Sequence, residues 1–331
     1  MPYSLSKTLI SEEAARAVAA CHFGSNHRLR SFTELKDGMF NTAALLELGD
    51  GLKCVLKAAP PEDVTVLAYE RDIMRAEVEA MQLVRERVEG MPVPQLYAYD
   101  TTRSLLPSSY FLMEFLPGTP LQRLRSSLSP QAQAQIEREM GRLASAIALV
   151  TGPAFGYWAQ PEPPGTSWRT CFTHMLQGVI ADGMAIDVRM PMPYADIFQL
   201  AEAHFDALDA VRVPRLVHWD IWDGNVFVDP QTLRVTGLID FERAMWADPL
   251  IEAIFGHLSA DTEYVRGFGA PLFQTPAEYS RRALYNLYLF LIMTIECYYR
   301  KFENQNQEIW ARARLDETIG WLSENAARVK A

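Results

Sequence analysis

Residues 216–250 read LVHWDIWDGNVFVDPQTLRVTGLIDFERAMWADPL. His218 and Asp220 flank Trp219, Asn225 follows Asp220 by five positions, and Asp240 closes the run Thr236-Gly237-Leu238-Ile239. These residue types suit transfer of a phosphoryl group. A carboxylate must accept the proton of an attacking hydroxyl, and a divalent cation must offset the charge on the phosphates. Magnesium is a hard cation, and a carboxylate with an amide oxygen gives it the ligands it prefers. Asp220 fits the base, and Asn225 with Asp240 fits the metal ligands. Apolar runs after Asn225 and before Asp240 predict a hairpin that sets the two ligands side by side. His218 fits an orienting role better than that of a proton carrier. A lone H-x-D is common, and an isolated loop Asp is usually a turn or cap residue. The bracketing strands lift this constellation above that background.

The order H-x-D-x-x-x-x-N, strand, Asp is also that of a kinase catalytic loop and its metal-binding Asp. The rest of a nucleotide site should then lie upstream. Segments 40–48 and 52–58 are apolar-rich and separated by Gly49-Asp50-Gly51, a hairpin signal. Lys57 closes the run Cys54-Val55-Leu56. Such a lysine can reach nucleotide phosphates, although by itself it would read as a snorkelling surface residue. Its acidic partner should sit on the helix predicted over 66–89. There Glu77 shares a stripe with Met74, Met81, Val84 and Val88. Glu70, two turns earlier, is the alternative, whereas Glu79 points elsewhere. The turn 36–42, KDGMFNT, contains Asn41 and is the candidate nucleotide loop, though it is not G-x-G-x-x-G. In the stretch 111–118, FLMEFLPG, a strand meets a breaker. The backbone groups of Glu114 and Leu116 are candidates to meet an adenine edge.

The elements that must carry these residues form an α+β, bilobal pattern. A short helix starts at Ser11, and strands follow over 30–58, 95–99 and 109–115. Residues 1–116 therefore read as a small antiparallel sheet plus a helix, the nucleotide-binding lobe. Residues 117–331 read as a larger, mainly helical lobe for catalysis and acceptor binding. Its helices are predicted from Ser129-Pro130 and over 195–210, 278–300 and 306–328, with strands at 226–229 and 235–239. The Pro- and Gly-rich stretch 153–167 reads as a surface excursion.

Composition bounds the partners. The chain has 331 residues, 49% of them apolar and 22% charged, which is globular. Its 31 Lys and Arg against 41 Asp and Glu give a net charge of −10. An acidic chain lacks the footprint of a nucleic-acid binder and would suit a cationic small molecule. Cys21, Cys54, Cys171 and Cys297 form neither C-x-x-C pairs nor zinc spacing, and read as reduced thiols of a cytoplasmic protein. The first 18 residues lack the apolar core of a signal peptide. The most apolar run, 284–299, is short of a bilayer span and contains Asn286 and Glu296, so it predicts a buried helix and no membrane partner.

Five stretches carry a resemblance to a known family: VLK at 55–57, EVEAM at 77–81 with PVP at 92–94, FLMEFLPGTPL at 111–121, LVHWDIWDGNVFVD at 216–229, and TGLIDFERAMWADP at 236–249. They resemble the aminoglycoside phosphotransferase family of small-molecule kinases, which is also similar to choline kinases and homoserine kinases. The resemblance implies a protein-kinase-like bilobal fold, ATP or GTP as donor, and Mg²⁺. It implies Asp220 as the base, Asn225 and Asp240 as metal ligands, and Lys57 with Glu77 positioning the phosphates. Two residues depart from the family, which usually has Gly where Trp219 stands and often His where Trp222 stands. These indoles are candidates to line the acceptor pocket, and aromatic faces would suit a cationic hydroxyl compound. Glu242 and Asp248 follow the metal Asp as in relatives.

The reading is therefore a phosphotransferase moving the γ-phosphate of ATP or GTP to a hydroxyl of a small molecule, antibiotic-modifying enzymes being a subset. A protein kinase fits less well. Phe241-Glu242 replaces the F-G of D-F-G, no A-P-E segment follows, and Asp248-Pro249 leaves little room for an activation loop. The alternative is a nucleotide-binding pseudokinase or regulatory binding protein of the same fold, against which intact Lys57, Asp220, Asn225 and Asp240 argue.

Overall fold

The computed structural model describes residues 7–24, 27–36, 38, 40–252, 262–269, 272–302 and 304–325. Asp37 and Met39 of the expected nucleotide loop, and residues 326–328 of the expected last helix, lie outside the described residues.

The Ser11 side chain accepts the N–H of Ala14 and starts α1 (Glu12–Phe23), with Glu12 and Glu13 in its positive first turn. Five strands follow: β1 (Leu29–Leu35), β2 (Thr42–Leu48), β3 (Lys53–Ala58), β4 (Leu96–Asp100) and β5 (Tyr110–Glu114). They form an antiparallel sheet in the order β1-β2-β3-β5-β4. Side chains alternate along β3. Cys54, Leu56 and Ala58 pack with Ala15, Val18 and Ala19 of α1. Val55 faces the other way, into a core with Met74, Val78, Met81 and Val84. Lys57, two positions on from Val55, therefore points at the helix that carries those residues.

That helix, α2, is shorter than its sequence pattern suggests. It runs Ile73–Arg87 rather than 66–89, because Asp72 adopts a left-handed φ of 60° and cannot continue a helix backwards. A separate 3₁₀ turn, Ala68–Glu70, precedes it. Glu70 is thus not on the stripe that carries Glu77.

In the second lobe β6 (Thr119–Pro120) leads into α3 (Leu121–Leu124), and Ser129 caps α4 (Pro130–Ile147). Then come β7 (Gly156–Tyr157), β8 (Gln160–Pro161), α5 (Trp168–Ala185), α6 (Tyr194–Glu202) and β9 (Arg215–Val217). The hairpin β10 (Val226–Val228) and β11 (Val235–Leu238) forms as predicted, with β6 as its third strand. Next, β12 (Met245–Ala247) joins β8, β7 and β9 in a second small sheet. The chain closes with α7 (Glu263–Phe268), α8 (Pro276–Tyr299) and α9 (Asn306–Asn325).

Two readings of this lobe need correction, and one helix is additional to them. The stretch 153–167 is no simple surface excursion, since Phe155 and Tyr157 are buried in the core. Helix α5, which follows it, went unpredicted. The helix expected over 195–210 stops at Glu202 and resumes as a 3₁₀ turn, Phe205–Ala210. Helix α8 is buried on nearly every side, charged residues included, and is the scaffold of the lobe. Among the described residues, no helix is long and apolar enough to cross a membrane.

Candidate active site

The sheet and α2 bring Lys57 to Glu77, and the second lobe brings Asp240 to both. The Lys57 Nζ lies 2.8 and 2.7 Å from the two carboxylate oxygens of Glu77 and 2.6 Å from Asp240 Oδ1. Glu242 Oε2 stands 3.9 Å away. Burial alone would lower the Lys57 pKa, but the charges of Asp240, Glu77 and Glu242 overcome it and hold the amine protonated. Lys57 in turn keeps Asp240 below its usual range against the effect of burial. Burial, helped by Asp240, drives Glu242 upward.

The hairpin does what its pattern promised. Ile239 N–H donates to the Asn225 carbonyl at 3.1 Å, so Asn225 and Asp240 leave adjacent strand ends. The Asn225 Nδ2 donates to Asp220 Oδ2 at 2.8 Å and to the Asp220 carbonyl at 3.0 Å. With Nδ2 committed, Oδ1 is the amide atom left to face a cation. Burial pushes Asp220 up to about 6, while the buried Arg243 guanidinium pulls the other way. His218 is fully buried. Its Nδ1 accepts the Asp220 N–H at 3.1 Å and its Nε2 meets the Ile239 carbonyl at 3.0 Å, which fixes the neutral tautomer. Burial lowers its pKa to about 4, as an orienting residue requires. Glu252 braces the loop from below, accepting the N–H groups of His218 at 2.7 Å and Trp219 at 2.8 Å.

Trp219, a candidate for the acceptor pocket, is buried in the second lobe. It is only 4% exposed, stacked on Tyr288 of α8 with ring centroids 5.5 Å apart and planes 12° from parallel. Its left-handed φ of 59° turns the side chain inward, and the Arg243 guanidinium covers its face at 5.8 Å. Trp222 is half-buried and folds back over Gly224, where any Cβ would collide with the indole. Asn41 is 4% exposed and donates Nδ2 to Glu242 Oε2 at 2.8 Å, while its Oδ1 has no hydrogen-bond partner among the described residues. The Glu114 N–H already donates to the Gln95 carbonyl at 2.8 Å, so only its carbonyl remains a candidate for an adenine edge. Leu116 is buried against Gly237 of β11.

Sequence reasoning missed a buried ionic chain behind the site. Arg243 Nη2 lies 3.1 Å from Glu296 of α8, and Arg300 lies 3.3 Å from the same carboxylate and also pairs with Glu70. Glu70, the alternative partner for Lys57, is taken up here instead. The one available signal was Glu296, the single charged residue of the run 284–299.

The architecture is the bilobal, protein-kinase-like one, and known proteins share it. A candidate aminoglycoside phosphotransferase from Ralstonia eutropha JMP134 superposes with a TM-score of 0.63 at 17% identity, covering 96% of this chain and 98% of that one. A candidate fructosamine-3-kinase from Thermobifida fusca YX-ER1 gives 0.64 at 20% identity, covering 96% and 100%. A thermostable mutant of aminoglycoside phosphotransferase APH(4)-Ia, in ternary complex with AMP-PNP and hygromycin B, gives 0.64 at 20% identity, covering 92% and 98%. A search of curated protein sequences finds no match. The sequence model described as the phosphotransferase enzyme family (APH) matches residues 31–285, which is most of the chain, and the chain belongs to that family.

Proposed function

We propose that this chain is a magnesium-dependent small-molecule kinase that moves the γ-phosphate of ATP, or GTP, to a hydroxyl of its acceptor. The carrying observation is that the Lys57 ammonium lies between Glu77 and Asp240, and that the Asp220–Asn225 pair joins it where the Asn225 and Asp240 strand ends meet. Asp220 would take the acceptor's proton at Oδ1, since Oδ2 already accepts from Asn225. A carboxylate held near 6 by burial is ionised at neutral pH yet basic enough to draw a proton. Lys57, oriented by Glu77, would meet the phosphates. The Asp240 carboxylate and the Asn225 Oδ1 form an oxygen-only donor set that suits Mg²⁺. When bound there, the ion neutralises phosphate charge. The Glu114 carbonyl and the Leu116 amide would meet the base of the nucleotide. Trp222, between the base and Asn225, is the indole left to border the acceptor. Four free thiols suit the reducing cytoplasm.

A nucleotide-consumption screen tests this, using purified protein, ATP or GTP, Mg²⁺ and a panel of aminoglycosides, macrolides, choline, homoserine, sugars and fructosamines. Turnover with one acceptor class, lost in Asp220→Asn, is the expected result. Nucleotide binding without turnover on any acceptor would favour a pseudokinase, and absence of nucleotide binding would sink the reading.

A further inference from the structure

We propose that Lys7 and Arg300 are positioning residues for the nucleotide loop, standing in for the glycine backbone of a G-x-G-x-x-G turn. This rests on the kinase reading above. The stretch 36–42 has one glycine, Gly38. A glycine-rich turn can bring its backbone close to phosphates without side-chain help. Here the described loop residues are fastened from outside, by groups far away in sequence.

Lys7 Nζ donates to the Gly38 carbonyl. The lysine is not on a loose arm, because its neighbour Thr8 is locked to the sheet. The Thr8 carbonyl accepts from Thr42 Oγ1 at 2.5 Å, and its hydroxyl donates to the Ala59 carbonyl at 2.7 Å and lies 2.9 Å from Ser108 Oγ. From the other lobe, the Arg300 guanidinium lies over the Phe40 ring at 5.0 Å. It is aimed there by its pairs with Glu70 and Glu296. Phe40 is 8% exposed and the adjoining Asn41 is tied to Glu242, so this end of the loop is held down on the second lobe. Both tethers are cations placed beside a loop that would meet an anionic ligand. A loop held in its binding shape escapes the affinity loss that comes from populating that shape only part of the time.

The test is titration of AMP-PNP with Mg²⁺ into the full chain and into Phe40→Leu, Lys7→Met and Arg300→Lys, with thermal unfolding read in parallel. Phe40→Leu is the central variant because it removes the ring and leaves both Arg300 ion pairs in place, whereas Arg300→Met would strand two buried carboxylates. Phe40→Leu is expected to bind about 3- to 30-fold more weakly, the range of a partly desolvated cation–π contact. Lys7→Met should shift in the same direction, and Arg300→Lys should fall between parent and Phe40→Leu. Nucleotide KM should rise while acceptor KM and kcat at saturating nucleotide hold. Parent-like affinity in both Phe40→Leu and Lys7→Met would overturn the proposal, as would a lowered unfolding temperature with no change in affinity. Weakening in only one of them retains that tether and strikes out the other. If the parent binds no nucleotide, the kinase reading falls, and this proposal with it.

Discussion

The Asn225 side chain donates to Asp220 Oδ2 at 2.8 Å, so the candidate base and a candidate metal ligand are in contact before any nucleotide arrives. The contact leaves Asp220 with one oxygen for a proton and Asn225 with one oxygen for a cation.

Replacing Asp220 with Asn removes the base and keeps the shape. Turnover should fall by about 10²–10⁴ with nucleotide affinity retained. Steady-state kinetics and AMP-PNP titration check it, and near-parental turnover with a good acceptor would reassign the base.

The pH dependence has a definite sign. Burial raises Asp220 to about 6, and a base must be ionised. Activity as kcat/KM should therefore be level near pH 8 and fall as pH drops through about 6, by about tenfold for each unit below. His218, held at about 4, stays neutral throughout. A profile that stays level down to pH 4.5 would contradict the assignment.

Lys57→Met strands Glu77, Asp240 and Glu242 without their ammonium. Removing one partner of a buried pair costs about 3–5 kcal/mol. The stranded carboxylates should bind protons more readily folded than unfolded, so stability falls as pH rises. Thermal unfolding should show a larger deficit at pH 8 than at pH 6; an equal deficit at both would mean the three carboxylates are not coupled through Lys57.

Trp219→Gly sets two effects against each other. Relief of a left-handed residue gains about 1–2 kcal/mol, while loss of the indole stacked on Tyr288 costs about 3–5 kcal/mol. The variant should be about 2 kcal/mol less stable by chemical denaturation, with acceptor specificity unchanged. A shift in acceptor preference at undiminished stability would put Trp219 back at the pocket.

Local signals made the grouping of these side chains legible. The apolar run Cys54-Val55-Leu56 marked the strand that Lys57 closes, and the period of the helix picked Glu77 over Glu79. The hairpin pattern set Asn225 beside Asp240. What stayed hidden depends on distant pairing or on a single dihedral. Glu70 and Arg300 lie 230 positions apart, so no window contains both. Nothing in the composition around Trp219 reveals that φ is positive and the ring faces inward. The start of α2 moved for the same reason, at Asp72. Helix α5 is a different case, since Trp168, Phe172, Leu176 and Val179 line one face and a periodicity count would have found it.

The hydrogen bonds from His218 and Trp219 to Glu252 span 34 and 33 positions, and the stack on Tyr288 reaches further still. The loop bearing Asp220 is therefore shaped by chain that is synthesised after it. While the ribosome is still making residues 221–251, the His218 and Trp219 amides have no carboxylate to donate to. The loop that bears Asp220 thus lacks its Glu252 brace and its Tyr288 stack until α8 has emerged.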